Sequence, residues 1–346
     1  MKYYTYQNSK SYKDYIIEEI PVIEMALICF DDNNKNDFIK IVADNNADFI
    51  ESRPNDCLIF CVGEDNFMYS FRLTDGERVK VKRFSLKKYY KFIEKQKEYA
   101  KYTQGTRKLL EECQENTIIT DKTTSSRYKK YSYIDKQGGQ VFKFRFKQVK
   151  SDKQLPLLVY FHGAGCLGYD NEKQKLEYMF TICDLMPEKC NILLPQANYF
   201  DNQGVEKIDK YTNGVKLLID DLILKCNIDT NRIYIVGTSF GGGCLWRMLY
   251  NYPNLFAGGI PVMGDILINK LDEKDIVKFS NQNIWMAHSS NDNNVLIDSD
   301  DKVYAKLKNS NCNIKYTRWN KLGHSMSWFF YTFKSWKKWL FKQSLN

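Results

Sequence analysis

The chain has 346 residues, of which 43% are hydrophobic, 15% aromatic and 27% charged, with a formal net charge of +9. This apolar share excludes a largely disordered chain, and the length exceeds the roughly 250 residues at which single cores stop growing, so two folded domains are expected. Residues 1–125 carry 20 Lys+Arg and 21 Asp+Glu, leaving 31 and 21 for residues 126–346; the excess of lysines there is dispersed rather than clustered, which argues against nucleic-acid binding.

The opening MKYYTYQNSKSYKDYIIEEI has no apolar run after its first lysine, and no stretch approaches the ~20 apolar residues of a membrane span, so a cytoplasmic protein with no membrane partner is expected. Its ten cysteines then read as reduced thiols. Cys57 and Cys61 in CLIFC lack nearby histidine or cysteine partners for a zinc site, and their apolar neighbours predict a buried strand. NDCLIFCVG, NFMYSFRL and ERVKVKRF, separated by turn sequences at 63–66 and 74–76, predict a three-stranded meander whose lysine-rich last strand is solvated. A Lys/Glu-rich stretch from Leu86 to about Glu115 has helical character. The polar run from Thr120 to Ser126 reads as a linker, placing a boundary at residue 125 between an amino-terminal α+β module and the rest.

Beyond it the pattern changes. YKKYSYID and QVFKFRFKQV predict a hairpin around Gly138-Gly139, and LLVYF, NILLP, RIYIV, AGGIPVM and NIWMAH follow as short apolar runs separated by helical stretches such as TNGVKLLIDDLILK and the segment from Cys244 to Tyr250. Strands buried on both faces and alternating with helices predict an α/β domain with a mostly parallel central sheet flanked by helices over residues 126–346. Sites in such sheets lie at the carboxyl ends of the strands.

Gly237-Thr238-Ser239-Phe240-Gly241 follows the strand RIYIV and opens a helix, the context in which a serine is lifted above a sheet on a strained turn. A plain glycine-rich turn is the alternative. Of the three histidines, His324 in LGHSMSW comes last in the chain, where the base belongs in the order serine, acid, histidine. HSSNDNNV supplies Asp292 as the acid that would fix the imidazole tautomer, with Asp265, Asp298 and Asp300 as competitors. Backbone N–H groups of Phe240 and of Ala164, in the loop HGAG after LLVYF, are the expected oxyanion donors. His162 is expected to be structural beneath that loop, and His288 to shape the acid loop.

The strings LPLLVYFHGAGCLGYDN, NILLPQA, IDTNRIYIVGTSFGGGCLWRMLYNYPNLFAGGIPVMG, NIWMAHSSNDNNV and YTRWNKLGHSMSW, in this order over Leu155–Leu340, resemble the α/β-hydrolase serine esterases that include feruloyl and acetylxylan esterases, polyhydroxybutyrate depolymerase-like proteins and prolyl-oligopeptidase-related hydrolases. The resemblance implies ester hydrolysis through an acyl-enzyme on a small-molecule or carbohydrate ester, with Ser239, Asp292 and His324 matching the family's triad and no cofactor or metal. Two departures bear on the substrate pocket: Ser289 stands where the family has glycine, and Tyr199 or Phe200 only loosely matches an aromatic position. A prolyl-oligopeptidase-related peptidase and a non-catalytic binding module with the hydrolase fold are the alternatives. Residues 1–125 resemble nothing in the family, and a lid, a carbohydrate-binding module and an oligomerisation element are all open for them.

Overall fold

A computed structural model of the chain describes residues 104–121 and 127–346, apart from 177–185, 199–204, 267–270 and 346, together with residue 102 and five strands nearer the amino terminus. The chain forms two compact units, Met1–Lys108 and Leu109–Asn346. In the first, β1 (Val22–Phe30), β2 (Lys35–Ala43), β3 (Cys57–Gly63), β4 (Phe67–Thr74) and β5 (Glu77–Ser85) make an antiparallel sheet in the order β2-β1-β3-β4-β5. The expected meander is its β3-β4-β5 portion. Strands β1 and β2 extend it beyond the three segments that alternation and turn residues signal. Of the expected helical stretch 86–115, residues 104–112 are helical, whereas 86–101 lie outside the described residues, as do the side chains of Cys57 and Cys61.

The second unit is built on nine strands: β6 (Thr117–Thr120), β7 (Lys129–Asp135), β8 (Gln140–Lys147), β9 (Leu155–Phe161), β10 (Asn191–Gln196), β11 (Ile228–Thr238), β12 (Gly258–Val262), β13 (Asn283–Ser289) and β14 (Asn313–Trp319), in the order β14-β13-β12-β11-β9-β10-β8-β7-β6. Strands β9 to β14 run parallel, and β6 to β8 add an antiparallel edge. Because β6 is hydrogen-bonded to β7, this sheet begins before the polar run, and residue 125 falls inside the second unit rather than at its start. Residues 122–126 of that run lie outside the described residues.

Alternation along the strands divides the core between the two faces of the sheet. Leu157, Val159, Ile233, Ile235, Ile284 and Met286 pack with helices α1 (Val205–Lys225), α2 (Phe240–Asn251) and α3 (Asp298–Leu307). Leu158, Tyr160, Tyr234, Val236 and Ile260 pack with α4 (Met326–Thr332) and α5 (Ser335–Leu340), through Phe330, Tyr331, Trp336 and Leu340. Strands carrying such double burial read as continuous apolar runs, which is why LLVYF and RIYIV stand out in the sequence. The edge strand β14 instead alternates exposed and half-buried residues.

Strand β9 lies between β10 and β11, so the chain leaves β10 through α1 and returns on the other side of β9. That reversal leaves a crevice beyond the carboxyl ends of β9 and β11, where ligands bind in open α/β sheets. The loop HGAG follows β9 and Ser239 follows β11. Among the described residues, no helix is long and apolar enough to cross a membrane.

Candidate active site

Ser239 joins β11 to α2 with φ 54° and ψ −119°, a backbone that L side chains rarely adopt and that persists only where the surroundings enforce it. The enforcement is visible. Its N–H donates to the carbonyl of Val262 on β12 at 2.8 Å, and its carbonyl accepts from Gly243 N–H at 3.0 Å. The glycines are required by close backbone approach: a Cβ on Gly237 would lie 2.2 Å from the Gly241 carbonyl oxygen, and one on Gly241 would lie 2.2 Å from that of Phe161. The nucleophile turn is thus clamped between β9 and its own helix, with the Ser239 side chain at the amino end of α2.

His324 sits in a short 3-10 turn, Gly323–Ser325, between β14 and α4. Its Nε2 is 3.0 Å from Ser239 Oγ, and its Nδ1 is 2.7 Å from Asp292 Oδ2. Asp292 lies beyond the end of β13, 3% exposed. Its Oδ1 accepts from the backbone N–H groups of Asn294 at 2.9 Å and Val295 at 3.0 Å. Burial alone would raise the Asp292 proton affinity, but these donors and the His324 contact outweigh it and hold the carboxyl below the usual range. The carboxylate is therefore ionised at neutral pH, and an ionised acceptor at Nδ1 places the imidazole proton there, turning the Nε2 lone pair toward the serine.

The three competing carboxylates go elsewhere. Asp265 and Asp298 are exposed, beyond β12 and at the start of α3. Asp300 is buried and meets His288 Nδ1 at 2.7 Å. His288, at the end of β13, also directs Nε2 to the Val295 carbonyl at 3.0 Å, which leaves it in ion-pair contact with Asp292 Oδ2 at 3.3 Å.

The loop after β9 turns through a 3-10 segment, Ala164–Cys166. His162 underpins it, as its position after LLVYF predicts: fully buried, its Nδ1 is 2.8 Å from the Gly163 carbonyl and its Nε2 accepts from Ala197 N–H at 3.0 Å. Burial pushes its pKa down to about 4, so the ring is neutral. Gln196 ties the same loop to β10, donating to the Cys166 carbonyl at 3.2 Å and to Asp170 Oδ1 at 2.9 Å. Phe240 is the first residue of α2, so its N–H has no partner within the helix. Ala164 is exposed, on the loop that leaves the carboxyl end of β9.

Sequence reasoning missed a brace on the His324 loop. Ser289 Oγ donates to Asn291 Oδ1 at 2.9 Å and accepts from Leu322 N–H at 3.2 Å, while Asn291 Oδ1 also accepts from Gly323 N–H at 2.9 Å. The available signal was Ser289 itself, the departure from glycine, which supplies the hydroxyl that this brace uses. Tyr199 and Phe200 lie outside the described residues. A cavity of about 990 Å³ adjoins the acid loop, lined among others by Asp265, Asn294, Val295, Leu296, Asp298 and Lys302.

No protein-family model matches the chain, and no curated protein matches it in sequence. Among solved structures it is similar to a thermostable esterase, at 19% identity and a TM-score of 0.52 over 93% of this chain and 90% of that one. It is also similar to the Bacillus cereus carboxylesterase, at 18% identity and a TM-score of 0.47 over 58% of this chain and 94% of that one. A third likeness is to the Pyrococcus horikoshii acylaminoacyl peptidase, at 14% identity and a TM-score of 0.45 over 85% of this chain and 49% of that one. At such identities a likeness carries the fold alone, and the second unit has the α/β-hydrolase fold.

Proposed function

We propose that the chain is a serine carboxylic ester hydrolase acting through an acyl-enzyme on a small ester, with acylated sugars and feruloyl or acetyl esters as the substrate class that the sequence resemblance favours. The observation that carries this reading is the unbroken run from Ser239 Oγ to His324 Nε2 at 3.0 Å and from His324 Nδ1 to Asp292 Oδ2 at 2.7 Å. Nucleophile and base within hydrogen-bond reach, with the base oriented by a third group, is the arrangement that makes a serine hydroxyl reactive.

In the proposed cycle Ser239 Oγ bonds to the ester carbonyl carbon as its proton passes to His324 Nε2. The carbonyl oxygen takes the negative charge, facing the N–H groups of Phe240 and Ala164; each such donor typically accounts for ~10²–10³ in rate. The imidazolium, stabilised by Asp292, gives its proton to the departing alcohol, and the acyl group stays on Ser239. Water then loses a proton to Nε2 and attacks the acyl carbon, and Ser239 leaves with that proton. No cofactor enters the balance. The proposal includes neither nucleic acid nor membrane as a partner.

The test compares p-nitrophenyl esters of graded acyl length with a proline-containing peptide anilide, on the wild type and Ser239→Ala, alongside fluorophosphonate labelling. The proposal expects labelling at Ser239, turnover of short esters and loss of both in the variant. Equal turnover by Ser239→Ala, or no labelling of the wild type, would overturn it, and faster anilide than ester cleavage would reassign the chain to peptide hydrolysis.

A further inference from the structure

The polar contacts at the site continue behind Asp292. Resting on the triad proposed above, we infer that His288 and Asp300 form a second, buried imidazole–carboxylate pair that keeps an N–H on the Val295 carbonyl of the acid loop, close behind Asp292, making both of them positioning residues for the reaction.

His288 Nε2 is hydrogen-bonded to the Val295 carbonyl at 3.0 Å and lies in ion-pair contact with Asp292 Oδ2 at 3.3 Å. Neither can donate, because one is a carbonyl and the other is an ionised carboxylate already receiving the His324 Nδ1 proton. Nε2 must therefore carry hydrogen. On the other side of the ring, Nδ1 lies 2.7 Å from Asp300 Oδ2, which requires one further proton between them, held as imidazolium with carboxylate or as imidazole with carboxylic acid. Either form leaves the pair with no net charge.

The surroundings retain that shared proton. Asp300 is 1% exposed, and its Oδ1 is buried with no hydrogen-bond partner among the described residues, so ionisation without a proton on His288 would leave an unpaired charge in the core. The other titratable groups around the pair are Asp265 beyond β12, Asp301 on α3, Tyr316 on β14 and Asp292 itself. The carboxylates among them oppose added negative charge at Asp300. Burial pushes the Asp300 pKa up to about 6 against the pull of His288; for His288 burial acts downward, but the Asp300 contact and the Asp292 charge override it and raise its proton affinity.

A histidine with both nitrogens bonded in a core is ordinarily a packing residue. His288 differs in a second neighbour: Asp292 Oδ2, 3.3 Å from its Nε2, is the same oxygen that receives His324 Nδ1–H. Two imidazole rings thus face one carboxylate oxygen, His324 through a hydrogen bond and His288 through an electrostatic contact. Removing the His288 donor leaves more negative charge for the His324 imidazolium and frees the Val295 carbonyl that steadies the acid loop. The aim of His324 at Ser239 should then loosen.

The experiment measures kcat, KM and the acid limb of kcat/KM with a short p-nitrophenyl ester for wild type, His288→Phe/Asp300→Leu, Asp300→Leu and Asp300→Asn, with thermal unfolding to check folding. The double variant removes the pair without leaving a lone buried carboxyl, a type of replacement that stability often tolerates. It should move the acid limb upward by about half a pH unit or more and lower kcat about tenfold, with KM little changed. In Asp300→Asn the new amide can donate to Nδ1 and so keep hydrogen on Nε2; this variant should therefore retain more kcat than Asp300→Leu. His288→Met/Asp300→Asn carries the test should the apolar pair fail to fold. A folded His288→Phe/Asp300→Leu, or a folded His288→Met/Asp300→Asn, with the wild-type acid limb and kcat would overturn the inference, as would Asp300→Asn being no better than Asp300→Leu. Failure of the esterase reading is separable, because it would appear as absent fluorophosphonate labelling of Ser239 in the wild type.

Discussion

Replacing Asp292 with asparagine removes a charge and almost no volume, and the surroundings of the carboxylate dictate what the amide must do. Two backbone N–H groups, from Asn294 at 2.9 Å and Val295 at 3.0 Å, point at Oδ1. Turning the amide NH₂ toward them would set donor against donor twice and leave both unsatisfied, at about 1–3 kcal/mol each. The amide oxygen therefore takes the Oδ1 place, and the NH₂ faces His324 Nδ1, where the carboxylate oxygen stood at 2.7 Å. An N–H at that position requires a bare Nδ1, so the neutral ring carries its hydrogen on Nε2, facing Ser239 Oγ. A ring in that tautomer cannot accept the serine proton. The expected loss is about 10⁴ in kcat, equivalent to about 5.5 kcal/mol at about 1.36 kcal/mol per decade. Steady-state kinetics with p-nitrophenyl acetate at pH 7 and the rate of fluorophosphonate labelling both read it, with far-UV circular dichroism confirming the fold. A folded Asp292→Asn protein that keeps a tenth or more of wild-type kcat would refute the reasoning.

Gly241→Ala places a Cβ 2.2 Å from the Phe161 carbonyl oxygen and 2.7 Å from that of His162; because both are backbone atoms, α2 must retreat from β9, and a displacement near 1 Å costs about 10²-fold in kcat with about 1–3 kcal/mol of stability. Chemical denaturation and kinetics on the same sample measure both, and wild-type values for either contradict the clamp. His162 supplies a pH prediction. Its folded pKa of about 4 lies below the unfolded value of about 6.5, so the stability it contributes is present above pH ~6.5 and is lost as pH falls toward 4, at up to about 1.4 kcal/mol per pH unit. Urea unfolding at pH 7, 6 and 5 should show wild type approaching His162→Asn in stability as pH falls; parallel curves would reject it. Asn291→Ala removes the acceptor for Gly323 N–H and Ser289 Oγ, so kcat should fall several-fold with KM and unfolding temperature nearly constant, whereas an equal rise in KM would place Asn291 against substrate instead.

Local pattern carried much of this protein in the amino-acid sequence. Apolar runs between helical stretches mark β9 through β13, because strands buried on both faces have no polar positions to hide them, and Gly237-Thr238-Ser239-Phe240-Gly241 marks a turn that no larger residues could make. Strands β1 and β2 and the short β6 lacked such marks: β6 has four residues, too few to show alternation, and belongs to its sheet only through pairing with β7. The acid illustrates the same division. Asp292, Asp298 and Asp300 all follow β13 within a dozen residues; nearness to the strand end favours Asp292, but spacing alone does not show which carboxylate meets His324, 32 positions away, and which meets His288. Strand register and loop curvature make that distinction, by bringing the ends of β13 and β14 side by side and burying Asp300 behind the ring of His288. Periodicity is a property of neighbours along the chain and survives in the sequence; the partner of a buried charge is set by where distant backbones come to rest, and only the folded structure decides it.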